Sequence, residues 1–284
     1  MLLLKNKKIV VTGGSMGIGL AVAQKCAIEG ASLTLIARHE DDLKNAINNI
    51  SHNGQSHTYY CVDVSQPSQV AELAAALCKK HAHIDGLVNC AGIYGPIGKL
   101  DDIDPADFAN TIRINLLGTF YMCHYLLPLL RKSTKAKIVN YAGGGAAGPF
   151  PNFSAYSVSK VGIVRLTENI AIELKEYSID VNVVAPGFVI TRLHHETIKA
   201  GKKAGEGFLK KTLEQIDKGG VSADIAAKLT IFLLSQQSDG LTGKFISAPW
   251  DPWEKADFVS RLKANNDLAI LRRIDEKFFI NKNA

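Results

Sequence analysis

Thr12-Gly13-Gly14-Ser15-Met16-Gly17-Ile18-Gly19 is the stretch whose reading decides the fold. It leaves a short β-branched run, residues 8–12, and opens a segment of helical period, residues 18–29. Three demands meet at such a turn: a sharp reversal, a close approach of backbone to a pyrophosphate, and tight packing of helix on strand. Glycine satisfies each because it has no Cβ. The helix that starts there offers unpaired N–H groups and the positive end of its dipole to phosphate. Glycines in a loop are a weak signal alone. Between the first strand and first helix of an alternating pattern they become a strong one.

Outward from that turn the alternation continues. Residues 8–12, 32–37, 57–62, 84–89, 137–141, 180–185 and 244–247 are apolar and β-branched without strict alternation, as strands covered on both faces are. Residues 18–29, 41–49, 68–80, 105–130, 155–176 and 223–234 carry apolar side chains at three- and four-residue spacing. Strand and helix in turn imply right-handed crossovers and an α/β fold: a single doubly wound parallel sheet of about seven strands, with helices on both faces. No linker or repeat interrupts it. Residues 1–247 therefore read as one dinucleotide-binding catalytic domain. Within it, residues 192–220, rich in Lys and Gly, read as a helical substrate flap. Residues 248–284 read as a helical extension packed on the same domain. Asp251-Pro252-Trp253-Glu254 supplies a cap, a first-turn proline and a capping-box acid, so a helix is expected to begin there.

Composition narrows the class. Of 284 residues, 46% are hydrophobic and 21% charged, which excludes disorder, collagen-like repeats and a coiled coil. Lys plus Arg minus Asp plus Glu is 33 − 27 = +6, thinly spread, which argues against a nucleic-acid partner. The densest run, residues 199–211, has five Lys against one Glu and reads as a solvated helix face. Five cysteines without C-x-x-C or zinc-ligand spacing read as reduced thiols, with no metal site. Lys5, Lys7 and Lys8 interrupt the apolar opening before a signal peptide could form, and no apolar run is long enough for a membrane span. A cytoplasmic location is expected.

Two further readings concern chemistry. An NAD enzyme would place an acid at the end of the second strand, about 20 residues past the glycines, for the ribose 2′-hydroxyl. Here Ile36-Ala37-Arg38-His39 stands there, and Glu40, Asp41 and Asp42 are better placed to cap the next helix. Arg38 favours NADP, whose 2′-phosphate suits a guanidinium fork; the plainer alternative is a surface Arg. Tyr156 and Lys160, four apart on a helix, share one face. An ammonium beside a phenol is expected to bring its pKa down from ~10 toward working pH.

Taken together, Thr12-Gly13-x-x-x-Gly17-Ile18-Gly19, Asp63-Val64, Asn89-Cys90-Ala91-Gly92, Asn115, Tyr156-Ser157-Val158-Ser159-Lys160 and Pro186-Gly187 with Thr191 resemble the short-chain dehydrogenase/reductase family, which has a Rossmann fold. The resemblance spans most of residues 6–247. It implies an NADP(H)-dependent oxidoreductase that interconverts a carbonyl and an alcohol, with Tyr156 as acid–base. Lys160 would bond the nicotinamide ribose, and Asn115 would hold a water in a proton relay. It implies cofactor contacts from Gly13, Ser15, Met16, Gly17, Ile18, Gly19, Ala91, Gly92, Ile93, Pro186, Gly187 and Val189. Asp63 and Val64 would bracket the adenine, Asn89 would support the sheet, and Thr191 would hold the carboxamide. Helices 105–130 and 155–176 pair between subunits in the family, so a homodimer or homotetramer is expected.

The chain departs from the family pattern twice. A Ser that usually hydrogen-bonds the reacting carbonyl is missing: Asn140-Tyr141-Ala142-Gly143-Gly144-Gly145 has no hydroxyl at either candidate position, Ala142 or Gly143. Either backbone N–H groups of the glycine run take its place, or the site is impaired. The second case opens an alternative function, a nucleotide-binding sensor or scaffold. Ser154 is expected to cap the following helix. The C-terminus also replaces the family's usual last-strand ending. Elsewhere, His194-His195-Glu196 reads as polar groups on the flap's surface, Cys90 as unreactive, and His124 as an interface or core residue.

Overall fold

The computed structural model describes residues 2–50 and 54–274. Strand β1 (Lys8–Thr12) passes through the glycine turn into helix α1 (Gly17–Ile28). There follow β2 (Ser32–Ala37), α2 (Glu40–Asn48), β3 (Thr58–Cys61), α3 (Pro67–Lys80) and β4 (Gly86–Asn89). Then come α4 (Pro105–Ile112), α5 (Gly118–Leu130), β5 (Lys137–Tyr141), α6 (Ser154–Glu173) and β6 (Asp180–Ala185). Flap helices α7 (Arg192–Ala200) and α8 (Glu206–Asp217) precede α9 (Ala223–Leu234), β7 (Phe245–Ser247) and α10 (Ala256–Ala264).

The seven strands form one parallel sheet in the order β3-β2-β1-β4-β5-β6-β7. Successive strand side chains point to opposite faces, and both faces are covered. Ile9, Val11, Leu33 and Leu35 pack with α1, α2, α9 and α10 on one side. Val10, Ile36, Ile138 and Val181 pack with α3 and α5 on the other. The order reverses direction between β1 and β4, and the carboxyl ends of these two strands open a crevice where doubly wound sheets bind ligands.

Three local expectations need correction. Residues 105–130 are not one helix. A π-helical turn, Arg113–Leu117, lies between α4 and α5 and contains Asn115. An extra residue in a turn shifts the helix face without breaking apolar spacing, so periodicity does not reveal it. The extension's helix begins at Ala256, not at Asp251. Asp251 Oδ2 accepts from the Ser247 N–H at 2.7 Å and closes a turn instead of capping, while Trp253 Nε1 donates to the Ala248 carbonyl at 2.9 Å. Trp253 still joins Val259 and Leu262 in the core. The N-cap of α2 is His39, with Glu40, Asp41 and Asp42 inside its first turn. Residues 275–284 of the expected extension lie outside the described residues. Among the described residues, no helix is long and apolar enough to cross a membrane.

Candidate active site

The glycine turn is built for close approach. A Cβ on Gly13 would stand 2.9 Å from the Ala91 nitrogen, and one on Gly19 would overlap the Gly13 carbonyl, so strand, turn and helix could not meet with larger residues. Gly17 has φ +55°, in the left-handed region. The N-cap of α1, Met16, makes no side-chain cap bond, which leaves first-turn N–H groups open toward the crevice.

That crevice is an open cleft of about 430 Å³. Gly13, Ser15, Met16, Gly17, Ile18 and Gly19 line one wall, Arg38, Asp63 and Val64 one end, and Ala91, Gly92, Ile93 and Thr191 the other. The expected residues Asn89, Pro186, Gly187 and Val189 do not line it. Asn89 Nδ2 donates to Asn140 Oδ1 at 2.9 Å, and Asn140 Nδ2 to Thr167 Oγ1 at 2.9 Å, so Asn89 ties β4 to β5 and α6 beneath the cleft. Val189 is buried, and Gly187, at φ +80°, passes so close to Pro249 that a Cβ would lie 2.8 Å from its ring. The Arg38 guanidinium has no ion-pair partner among the described residues and faces the cleft beside Asp42. Asp63 Oδ1 accepts from the Ser65 N–H at 2.9 Å, which holds its carboxylate at the cleft's edge.

Tyr156, Lys160 and Asn115 stand behind the inner wall. A Cβ on Gly92 would meet Asn115 Oδ1 at 3.2 Å and Lys160 Nζ at 3.5 Å, so a single glycine separates these side chains from the cleft. Both functions of the Asn115 amide are engaged: Oδ1 accepts from the Ile93 N–H at 2.9 Å, and Nδ2 donates to the Ile93 carbonyl and Ser159 Oγ, each at 2.9 Å. Lys160 Nζ donates to the Tyr141 carbonyl at 3.0 Å and lies 5.5 Å from the centre of the Tyr156 ring.

Here the expectation of an acidified phenol fails. Burial pushes the Tyr156 hydroxyl well above its ordinary pKa, and burial pushes Lys160 down to about 8. The ammonium sits over the ring and bonds a backbone carbonyl, so desolvation outweighs its pull on the phenol. The Tyr156 hydroxyl makes no hydrogen bond among the described residues. Its ring is boxed by aromatic groups that sequence reasoning did not single out. Tyr94 meets it edge-on at 4.7 Å, and Phe150, Phe153 and flap residue Phe208 stack around it. Tyr94 directly follows the Ile93 already singled out, which was an available signal. Phe208 reaches the site only through the path of the flap.

Other expectations change as well. Ser154 is the first residue of α6 and caps nothing. His194 is not on the surface. It is buried against Phe188 and Tyr94, its Nδ1 accepts from the Thr191 N–H at 3.4 Å, and burial pushes its pKa down to about 4. His195, with Ile190, Arg192 and Leu193, lines the cleft. Burial raises the Cys90 thiol pKa, as an inert cysteine requires. Among the described residues, no three His, Cys, Asp or Glu side chains are grouped to hold a metal.

Comparison with known proteins gives concordant results. The family model for short chain dehydrogenase matches residues 7–203. Levodione reductase from Leifsonia aquatica is 31% identical over 241 residues, 82% of this chain and 89% of that protein. Dehydrogenase/reductase SDR family member 4 from Homo sapiens is 30% identical over 243 residues, 86% of each chain. The crystal structure of an NAD+-bound xylitol dehydrogenase superposes with a TM-score of 0.79 at 27% identity, covering 86% of this chain and 98% of that one.

Proposed function

The chain belongs to the short-chain dehydrogenase family, an oxidoreductase of CH–OH and C=O groups with a nicotinamide dinucleotide, and from that premise we propose that its cofactor is NADP(H) and its proton donor Tyr156. The observation that carries this reading is one juxtaposition. An unpaired guanidinium stands at one end of the cleft, and Lys160 and Asn115 press on Gly92 at the other.

The residues present fit a dinucleotide. The turn Gly13–Gly19 and the first-turn N–H groups of α1 receive the pyrophosphate. Arg38 bonds the 2′-phosphate, Asp63 and Val64 flank the adenine, and Thr191 meets the carboxamide. When bound, the reduced nicotinamide supplies hydride to the carbonyl carbon. Tyr156 delivers the proton to the carbonyl oxygen, and its raised pKa keeps the hydroxyl protonated, which favours the reductive direction. Lys160 serves the ribose through the gap at Gly92, and Asn115 fixes the backbone of Ile93. Burial of Tyr156 under Phe150 and Phe208 keeps water from that proton. Pairing of α5 and α6 with a second copy gives a homodimer or homotetramer.

One experiment tests both parts. Oxidation of NADPH and NADH is followed against a broad carbonyl panel for the wild type, Tyr156→Phe and Arg38→Asp. Tyr156→Phe should abolish turnover with cofactor binding nearly intact. Arg38→Asp should weaken NADPH far more than NADH, since an attraction becomes a repulsion. Steady NADPH binding by the wild type without turnover of any carbonyl would instead favour the sensor.

A further inference from the structure

The missing Ser leaves a question that the local geometry answers. Gly143 stands against Tyr156 so closely that a Cβ built on it would overlap the Tyr156 hydroxyl oxygen. No side chain fits at this position while the hydroxyl keeps its place. Ala142, the other candidate position, packs in an apolar cluster with Ile163, Val164 and Val183, so a hydroxyl there would face that cluster and not the Tyr156 hydroxyl. Neither position can present a Ser to a carbonyl beside Tyr156.

The backbone of the run is both held and unspent. The Ala146 N–H donates to the Gly143 carbonyl at 3.2 Å, and Ser157 Oγ to the Gly145 carbonyl at 3.1 Å. Gly145 has φ +82°, and any side chain on it would overlap Ser157 Oγ and crowd the Phe150 Cβ at 2.9 Å. Ala142 and Ala146 anchor the two ends of the run in one cluster, against which Leu271 of the C-terminal segment packs. Two carbonyls of the turn are thus engaged. The N–H groups of Gly143, Gly144 and Gly145 donate to nothing among the described residues.

We propose that the backbone N–H groups of Gly144 and Gly145 receive the oxygen of the reacting carbonyl beside Tyr156, in place of a side-chain hydroxyl. The inference rests on Tyr156 as proton donor. Backbone donors held in advance are as effective as side chains where negative charge develops on oxygen, because they need not reorganise when it does. Gly143 is then a positioning residue, because its lack of a side chain lets the Tyr156 hydroxyl reach the same oxygen.

The test separates the N–H from the space around it. Gly144 has no positive φ, so Gly144→Ala keeps the N–H and adds a methyl that meets only the flexible edge of Phe150, at 3.2 Å. Gly144→Pro removes the N–H. With NADPH and the panel carbonyl that the wild type reduces fastest, Gly144→Ala should keep kcat within several-fold. Gly144→Pro should lose ~10²–10³ in kcat, the range for one such donor, with NADPH affinity unchanged by fluorescence titration. Should Gly144→Pro not fold, judged by its melting transition, Gly143→Ser and Ala142→Ser decide the matter. Both should lower kcat or leave it unchanged. Equal losses in Gly144→Ala and Gly144→Pro, or a gain of tenfold or more on adding either Ser, would overturn the proposal. A wild type that reduces nothing would overturn the oxidoreductase reading itself, and this inference with it.

Discussion

Lys160 shows how burial sets the chemistry of a single side chain. Its ammonium is enclosed, bonded to one carbonyl, and pushed down from 10.5 to about 8. The pKa is lower in the folded state than in the unfolded one. Between pH 8 and 10.5 the unfolded chain therefore holds a proton that the folded chain has released, and stability rises with pH across that window. Below pH 8 both states are charged, and the folded protein bears the full desolvation cost. Lys160→Met lacks this titration. In urea denaturation of the cofactor-free protein, the wild type should gain on Lys160→Met by about 3 kcal/mol between pH 7 and 10.5. A constant difference would mean that the ammonium is solvated in the folded state.

At the scale of elements, the C-terminal segment matters most. Residues 265–271 cover the outer edge of β7, which would otherwise present unpaired backbone groups for association. The Phe245 N–H donates to the Ala269 carbonyl at 2.7 Å, and the Leu271 N–H to Glu168 Oε1 at 2.6 Å. The buried Lys244 ammonium gathers the chain after α10, donating to the carbonyls of Asn265 at 2.7 Å and Leu268 at 2.9 Å. Lys244→Met leaves both carbonyls facing an apolar group. It should cost about 1–3 kcal/mol of stability in urea denaturation, with earlier tryptic cleavage at Arg272 or Arg273. An unchanged midpoint and cleavage rate would show that the edge strand holds the segment without the ammonium.

For the molecule as a whole, the outer face of α5 and α6 stays apolar. Leu117 and Phe120 on one side and Val158 and Val161 on the other are 37–48% exposed, and the two sides adjoin where a Cβ on Gly162 would meet Leu116 at 2.9 Å. A continuous apolar surface of this kind marks an interface, and a second copy related by a two-fold axis would cover it with the same residues. Light scattering at micromolar concentration should give a dimer or tetramer. Phe120→Glu should shift it toward monomer, because the charge would be buried against its symmetry mate. A monomeric wild type would refute the assembly.

What the sequence by itself determined is what depends on local period and on glycine. Strands 8–12, 32–37, 137–141 and 180–185 lie where their runs of β-branched residues placed them, because a strand buried on both faces needs such residues throughout. The turn Gly13–Gly19 was legible because only glycine permits that approach of strand, helix and Ala91. Tyr156 and Lys160 were legible through helical spacing. The tertiary structure alone decided how these groups are solvated and what surrounds them. Lys160 turns to the Tyr141 carbonyl, so the phenol is raised where proximity along a helix suggested the reverse. Phe208 arrives over Tyr156 from a flap 52 positions later in the chain. His194, polar in sequence, is buried because α7 presses it on Phe188. Desolvation is a property of everything packed around a group, and most of what packs around these three comes from distant parts of the chain.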